Sequence, residues 1–244
     1  MEEKDVAIIC PTYKREEVLE NTIKSVVNNI HNISYDFFIL FQNYSDTFIK
    51  EITNKYNIIS FVSKDGIGYG NAMLYLFKEI LNYKYRYKYI IYIDDDCVVV
   101  KDGCDKLFNK IETSKSNVGA ATCRLGWNAQ NNREYFYTVA TFYIIKYQLI
   151  KNMFDGNKLI KDLEMRMENN ISIELLLNGY LILIDKECIV KHRPCSDSKI
   201  GDKTIYKQKM HNAALILKDK YKFCRVTKNG SLIYSTYFKN GKTN

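Results

Sequence analysis

Along the 244-residue chain, solid apolar runs alternate with stretches in which apolar residues recur three or four positions apart. The solid runs, at residues 6–10, 35–41, 58–62, 89–93, 118–122 and 180–184, are rich in β-branched and aromatic side chains and predict strands. The intervening stretches carry helical spacing: Leu19, Ile23, Val26 and Ile30 within 16–30; Phe48, Ile49, Ile52 and Tyr56 behind Asp46, which reads as an N-cap; Met73, Leu74, Phe77, Ile80 and Leu81 after Asn71; Leu107, Phe108 and Ile111 within 102–113. Further helices are expected at 172–178 and 204–220, and residues 135–150 read as core. Lys228-Asn229-Gly230-Ser231 between two short apolar runs predicts a hairpin. Strand and helix in alternation describe an α/β domain with a mostly parallel, Rossmann-like central sheet flanked by helices. The division expected is a main domain over 1–205 and a helix-and-hairpin extension over 206–244, with no internal repeat and no long linker.

The run Tyr89-Ile90-Ile91-Tyr92-Ile93 enters three consecutive carboxylates, Asp94, Asp95 and Asp96, before Cys97 and a second apolar run. An unbroken apolar run predicts a strand buried on both faces, and the carboxyl end of such a strand is where open α/β sheets place ligands. Three crowded carboxylates suit either an acidic turn capping the next helix or a hard divalent cation that neutralises them; their place after a buried strand favours the cation. Alternation would direct Asp94 and Asp96 to one side and Asp95 to the other.

Composition adds bounds. Hydrophobic residues make up 46% and charged residues 26%, which is globular, and no apolar run is long enough to span a bilayer. The first residues lack the form of a signal peptide, so the expected location is cytoplasmic. Seven cysteines, odd in number and never in a C-x-x-C pair, predict reduced thiols and exclude a zinc knuckle. The net charge of +8 favours an anionic partner, whether nucleotide diphosphate, nucleic acid or acidic membrane.

Other motifs cluster around the strand ends. Pro11-Thr12-Tyr13-Lys14-Arg15 ends the first strand ahead of a helix start whose positive dipole end would face a ligand. Gln42-Asn43-Tyr44-Ser45-Asp46 ends the second; its polar groups suit a base, a ribose or an ordinary turn. After the third strand, Asp65-Gly66-Ile67-Gly68-Tyr69-Gly70-Asn71 permits close backbone approach to a ligand but is neither a dinucleotide fingerprint nor a P-loop. Tyr83 to Tyr89 interleaves aromatic and basic residues. Trp127, amid a cluster of amides, suits an acceptor platform or a hydrophobic plug, and Asp162 and Glu164 open a helix with their carboxylates near its N-terminus, where dipole capping alone would account for them. His192, Arg193, Lys199 and Lys203 form a basic segment able to fold over an anion.

Taken in order, Pro11-Thr12-Tyr13-Lys14-Arg15, the glycine loop to Asn71, Asp94-Asp95-Asp96, the acidic stretch at Asp162, Gly179-Tyr180 and His192 resemble inverting, nucleotide-sugar-dependent glycosyltransferases of the GT-A fold, of the family-two type. The resemblance implies a single GT-A domain that moves a sugar from a nucleotide-diphosphate sugar, a UDP-sugar being favoured, to an acceptor hydroxyl. It implies Mn2+ or Mg2+ on the Asp-x-Asp pair Asp94 and Asp96, with His192 as a third ligand. The donor would be bound by Pro11, Thr12, Tyr13, Arg15, Asn43, Asp65, Gly66, Gly68, Asn71, Asp94 and Asp95, with Arg193, Lys199 and Lys203 closing over it. Asp162 is the base the resemblance implies. Lys161-Asp162 stands where the family commonly has Glu-Asp, and the distance to Gly179 is longer, which leaves Glu164 and Glu168 as alternatives. Gln42-Asn43 replaces a usual Asp in the second-strand turn. The acceptor could be a saccharide or a hydroxylated base in DNA. A nucleotidyltransferase of similar sheet architecture and a basic nucleic-acid-binding module are the rival expectations.

Overall fold

The computed structural model describes residues 2–125, 135–136, 141–161, 163–192, 203–222, 224–226 and 232–233. Its first half is strand and helix in strict alternation: β1 (Glu3–Tyr13), α1 (Glu16–Val27), β2 (Tyr35–Gln42), α2 (Asp46–Tyr56), β3 (Ile59–Ser63), α3 (Tyr69–Leu81) and β4 (Arg86–Ile93). The second half holds β5 (Cys97–Val100), α4 (Gly103–Glu112), β6 (Val118–Leu125), β7 (Tyr135–Phe136), β8 (Phe142–Lys146), α5 (Tyr147–Asp155), α6 (Met167–Leu177) and β9 (Leu181–His192). The helix α7 (Lys203–Lys220) and the antiparallel pair β10 (Arg225–Val226) and β11 (Leu232–Ile233) follow.

The large sheet runs β3-β2-β1-β4-β8-β6-β9-β5, with β7 alongside β9. β3, β2, β1 and β4 form a parallel block, as right-handed strand–helix–strand units do. β8 enters antiparallel between β4 and β6, and β5 pairs antiparallel with β9 at the far edge. The α/β class with a helix-flanked sheet therefore stands as the sequence predicts. The reversed direction of β8 and the helix α5 emerge from 135–150, whose uniform apolarity carries no period to read.

Alternating side chains feed two cores. Ala7, Ile9, Phe38, Leu40, Ile90, Tyr92 and Tyr143 pack against α3, α5, α6 and α7; Val6, Ile8, Phe37, Ile39, Tyr89, Ile91 and Ile93 pack against α1, α2 and α4. Every residue from Tyr89 to Ile93 is buried, as expected for a strand covered on both faces. The six cysteines among the described residues are buried free thiols.

Several boundaries move. β1 continues through Pro11 and Thr12 to Tyr13, paired with β2 at Leu40, Phe41 and Gln42, so the Pro-Thr-Tyr segment is strand end rather than loop. α1 stops at Val27. Ser45, not Asp46, caps α2, its side chain accepting from the Phe48 N–H. α6 starts at Met167, so Glu164 lies ahead of the helix instead of opening it, and Glu168 occupies the first turn. β9 extends past Ile184 to His192.

Candidate active site

The carboxyl ends of β1, β2 and β4 meet at one edge of the sheet, and there the chain makes a tight turn of Asp94, Asp95 and Asp96 before β5 departs for the opposite end of the sheet. The turn is pinned by its backbone: Asp94 N–H donates to the Thr141 carbonyl at 2.9 Å and Cys97 N–H to the Asp94 carbonyl at 3.3 Å. From α1, the Thr22 hydroxyl donates to the Asp95 carbonyl at 2.8 Å.

Each carboxylate has its own partners. The Tyr92 hydroxyl donates to Asp94 Oδ1. Asp95 accepts from Thr12 Oγ1 at 2.7 Å and from Arg15 Nη1 at 3.0 Å, the nitrogen it shares with Asp96. Because the single Thr12 proton goes to Asp95, the Tyr44 hydroxyl 2.6 Å away donates to Thr12, while accepting from the Arg15 N–H at 2.7 Å. Asp96 contacts Arg15 Nη1 at 2.9 Å and His192 Nε2 at 3.1 Å. His192 reaches this turn because it is the register partner of Cys97 in the β5–β9 pair, and cross-strand partners share a face.

The electrostatics follow from burial and spacing. Burial, with the charges of Asp96 and Asp95 adding to it, pushes the Asp94 carboxyl up to about 8 against the Tyr92 hydrogen bond and His192. Burial also raises Asp95, more than Arg15 and Thr12 can offset. For Asp96 burial acts upward too, but hydrogen bonds and charge from His192 and Arg15 outweigh it and hold the carboxyl below its usual range. The Asp96 hydrogen bond raises His192 in turn, overriding its burial. An acid that ionises only near 8 beside two other carboxylates is a place where a cation lowers the energy. Asp94, Asp96, Cys97 and His192 each offer a donor atom, all within 4.8 Å of one another. Two carboxylates and an imidazole fit a divalent ion of the Mn2+ or Mg2+ type.

On the α3/α6 face behind Asp94 lies a layer of phenols. Tyr92 stacks on Tyr143 at 5.1 Å between ring centroids and meets the edge of Tyr69 at 6.2 Å. Beyond them stands Glu168, whose Oε2 is buried without a hydrogen-bond partner among the described residues. Burial raises the Glu168 carboxyl, partly countered by its own backbone N–H, Arg166 and Tyr69.

The remaining sequence-derived candidates divide. Thr12 and Arg15 are at the centre, engaged with the aspartates. Pro11 is buried in β1, and Tyr13 is 45% exposed at the rim, its ring against Gly66. Asn43 takes a left-handed turn and donates its N–H to the Ser63 carbonyl at 2.9 Å. Asp65 is exposed, Gly68 has φ +81° at the N-cap of α3, and the Asn71 amide donates to the Ile67 carbonyl at 3.1 Å. Gly70 approaches its own chain, not an open cleft: a Cβ there would lie 1.6 Å from the Leu163 carbonyl oxygen. Glu164 is half-exposed and paired with Lys209 at 3.2 Å, which correlates with its place ahead of α6. Asp162, Arg193, Lys199, Trp127 and the Lys203 side chain lie outside the described residues.

Sequence reasoning placed Gln42 and Tyr44 in a turn motif without giving either a role, and read Tyr92 only as strand. The Gln42 amide donates to the Thr12 carbonyl at 3.2 Å and accepts from the Ile67 N–H at 2.9 Å, tying β1 to the glycine loop. Gln42 at the end of a solid apolar run was the one available signal, since a buried amide needs partners.

This architecture, with an acidic turn at the sheet's carboxyl edge, is the GT-A type of glycosyltransferase domain. It is shared with the mannosyltransferase PcManGT of Pyrobaculum calidifontis in complex with GDP-Man and Mn2+ (TM-score 0.67, 12% identity, 93% of this chain and 67% of that one). It is shared also with S. aureus TarS 1–349 in complex with UDP-GlcNAc (0.62, 13%, 88% and 67%) and with GalNAc-T7 bound to UDP, GalNAc and Mn2+ (0.64, 12%, 90% and 50%). No curated protein matches in sequence. The family model for glycosyl transferase family 2 matches residues 7–170, and the chain belongs to that family. Membership decides for a glycosyltransferase over the nucleotidyltransferase and nucleic-acid-module alternatives.

Proposed function

We propose that this glycosyltransferase is metal-dependent and inverting, and transfers a sugar from a nucleotide-diphosphate sugar to an acceptor hydroxyl. The observation that carries the reading is the grouping of Asp94, Asp96 and His192 donor atoms within 4.8 Å at the carboxyl edge of the sheet. In support, two fold relatives hold Mn2+, one with GDP-Man and one with UDP and GalNAc. Asp94, Asp96 and His192 would hold the cation, which would supply Lewis-acid neutralisation of the diphosphate leaving group.

Thr12, Tyr13, Arg15, Asn43, Asp65, Gly66, Gly68 and Asn71 line the nucleotide side, at the ends of the first three strands. Arg15, held by Asp95 and Asp96, presents a fixed cation toward the phosphates. Arg193, Lys199 and Lys203 supply further positive charge for the diphosphate.

Glu168 is the base best supported by its surroundings: a carboxylate with a free buried oxygen and a raised pKa, in the first turn of α6. It takes the acceptor's hydroxyl proton as that oxygen bonds to the anomeric carbon. The bond from that carbon to the diphosphate oxygen breaks on the opposite side, inverting the centre. Asp162 remains the alternative base; Glu164, paired with Lys209, is less suited.

The test is thermal denaturation with UDP-, GDP-, dTDP- and CDP-sugars, in Mn2+ and in EDTA. One nucleotide class should raise the melting temperature in Mn2+ and not in EDTA. Absence of stabilisation by every donor, or equal stabilisation in EDTA, overturns the reading.

A further inference from the structure

Tyr92 is the penultimate residue of β4, 1% exposed on the face toward α3 and α6, and Asp94 follows in the turn just past the strand. Three constraints hold the Tyr92 ring: the stacked Tyr143 ring at 5.1 Å from the register-paired β8, the edge of Tyr69 at 6.2 Å, and the hydrophobic layer around them. Its hydroxyl is thereby delivered to Asp94 Oδ1 from a fixed platform. A carboxylate whose Oδ1 accepts from a fixed phenol has fewer orientations open to it, so the bond sets how Asp94 is turned toward Asp96 and His192.

We infer that Tyr92 is a positioning residue of the metal centre, holding Asp94 in the orientation in which it would share an ion with Asp96 and His192. The inference rests on the metal-dependent reading above and adds a residue to it. Tyr92 reads in sequence as core, and its ring is core; the hydroxyl alone carries the role. Removing the hydroxyl while keeping the ring leaves the packing layer intact and frees Asp94 to rotate.

The experiment is Mn2+ titration of the whole chain by electron paramagnetic resonance, without donor or acceptor, for wild type and Tyr92→Phe, with melting temperatures alongside. Tyr92→Phe should bind Mn2+ about 10–100-fold more weakly, the range typical for lost outer-shell partners of metal ligands. A double change with Asp94→Ala, which removes the acceptor, separates the hydrogen bond from packing: Tyr92→Phe should cost nothing further there. Wild-type Mn2+ affinity in folded Tyr92→Phe, or a full additional loss in the double variant, overturns the inference alone. A wild type that fails to bind Mn2+ overturns the metal-dependent reading and this inference with it.

Discussion

Arg15 Nη1 stands 2.9 Å from Asp96 Oδ2, and the same nitrogen lies 3.0 Å from Asp95 Oδ1. One guanidinium thus serves two largely buried carboxylates, with side-chain exposures of 12% for Asp95 and 8% for Asp96. Taking away one partner of a buried pair leaves uncompensated charge, which costs about 3–5 kcal/mol when nothing replaces it. Arg15→Ala should therefore melt several degrees lower than wild type in EDTA, on the order of 6 °C or more for a chain of this size. Mn2+ supplies a replacement positive charge, so the deficit should shrink in its presence. An equal deficit with and without Mn2+ would show that the cation does not sit beside these carboxylates.

Glu168 is the only one of the three base candidates seen with an unpartnered buried oxygen among the described residues. Glu168→Gln keeps the shape and removes the proton acceptor, so turnover should fall about 100- to 10,000-fold while donor binding changes little. Glu164→Gln should stay near wild type, since Glu164 already spends its charge on Lys209 at the surface. Steady-state kinetics of these two variants and Asp162→Asn form the check. A large loss in Asp162→Asn with a small one in Glu168→Gln would move the base to Asp162.

What could be read in advance divides along physical lines. The β4 strand and its aspartates were legible because burial on both faces leaves an unbroken apolar run, and carboxylates after such a run are conspicuous. As a metal ligand His192 was legible only through family resemblance; its approach to Asp96 depends on β5–β9 pairing between segments far apart in the chain. Glu168 could be named only as an alternative base, because α6 buries Asn169, Asn170, Ser172 and Glu174 beside its apolar residues, so no polar face marks the period. Asn170 donates to the Tyr221 hydroxyl at 2.8 Å, which also bonds Glu174, and a buried polar network of this kind looks like surface in a linear sequence. Tyr92 was hidden for the opposite reason, its ring being indistinguishable from core.

The glycine loop makes a separate prediction. Gly70 N–H donates to the Glu164 carbonyl at 3.2 Å, and a Cβ on Gly70 would sit 1.6 Å from the Leu163 carbonyl oxygen. The start of α3 is thus docked on the segment that leads into α6 and Glu168, with backbone against backbone and no side chain able to yield. Gly70→Ala must push these segments apart, at a cost of about 3 kcal/mol or more. Gly68→Ala has open space and is opposed only by its backbone, φ +81° and ψ 154°, a region almost confined to glycine, so it should cost about 1–3 kcal/mol. Denaturant unfolding of the two variants ranks them, and a Gly70→Ala protein as stable as Gly68→Ala contradicts the docking.

Tyr143 offers the converse case, a polar group whose removal should help the fold. Its ring is fully buried and stacked on Tyr92, while its hydroxyl has no hydrogen-bond partner among the described residues. Burying an unpaired hydroxyl costs about 1–3 kcal/mol, and phenylalanine keeps the ring while deleting the cost. Tyr143→Phe should raise stability by about 1 kcal/mol, or roughly 2–4 °C in melting temperature. The phenol could earn its place by meeting a group that arrives with substrate, since Glu168 and Asp94 are both among its electrostatic neighbours. In that case the stabilised variant loses turnover, and the pairing of higher melting temperature with lower activity identifies a residue kept for function at the fold's expense. A melting temperature below that of wild type would mean that the hydroxyl is satisfied within the folded protein.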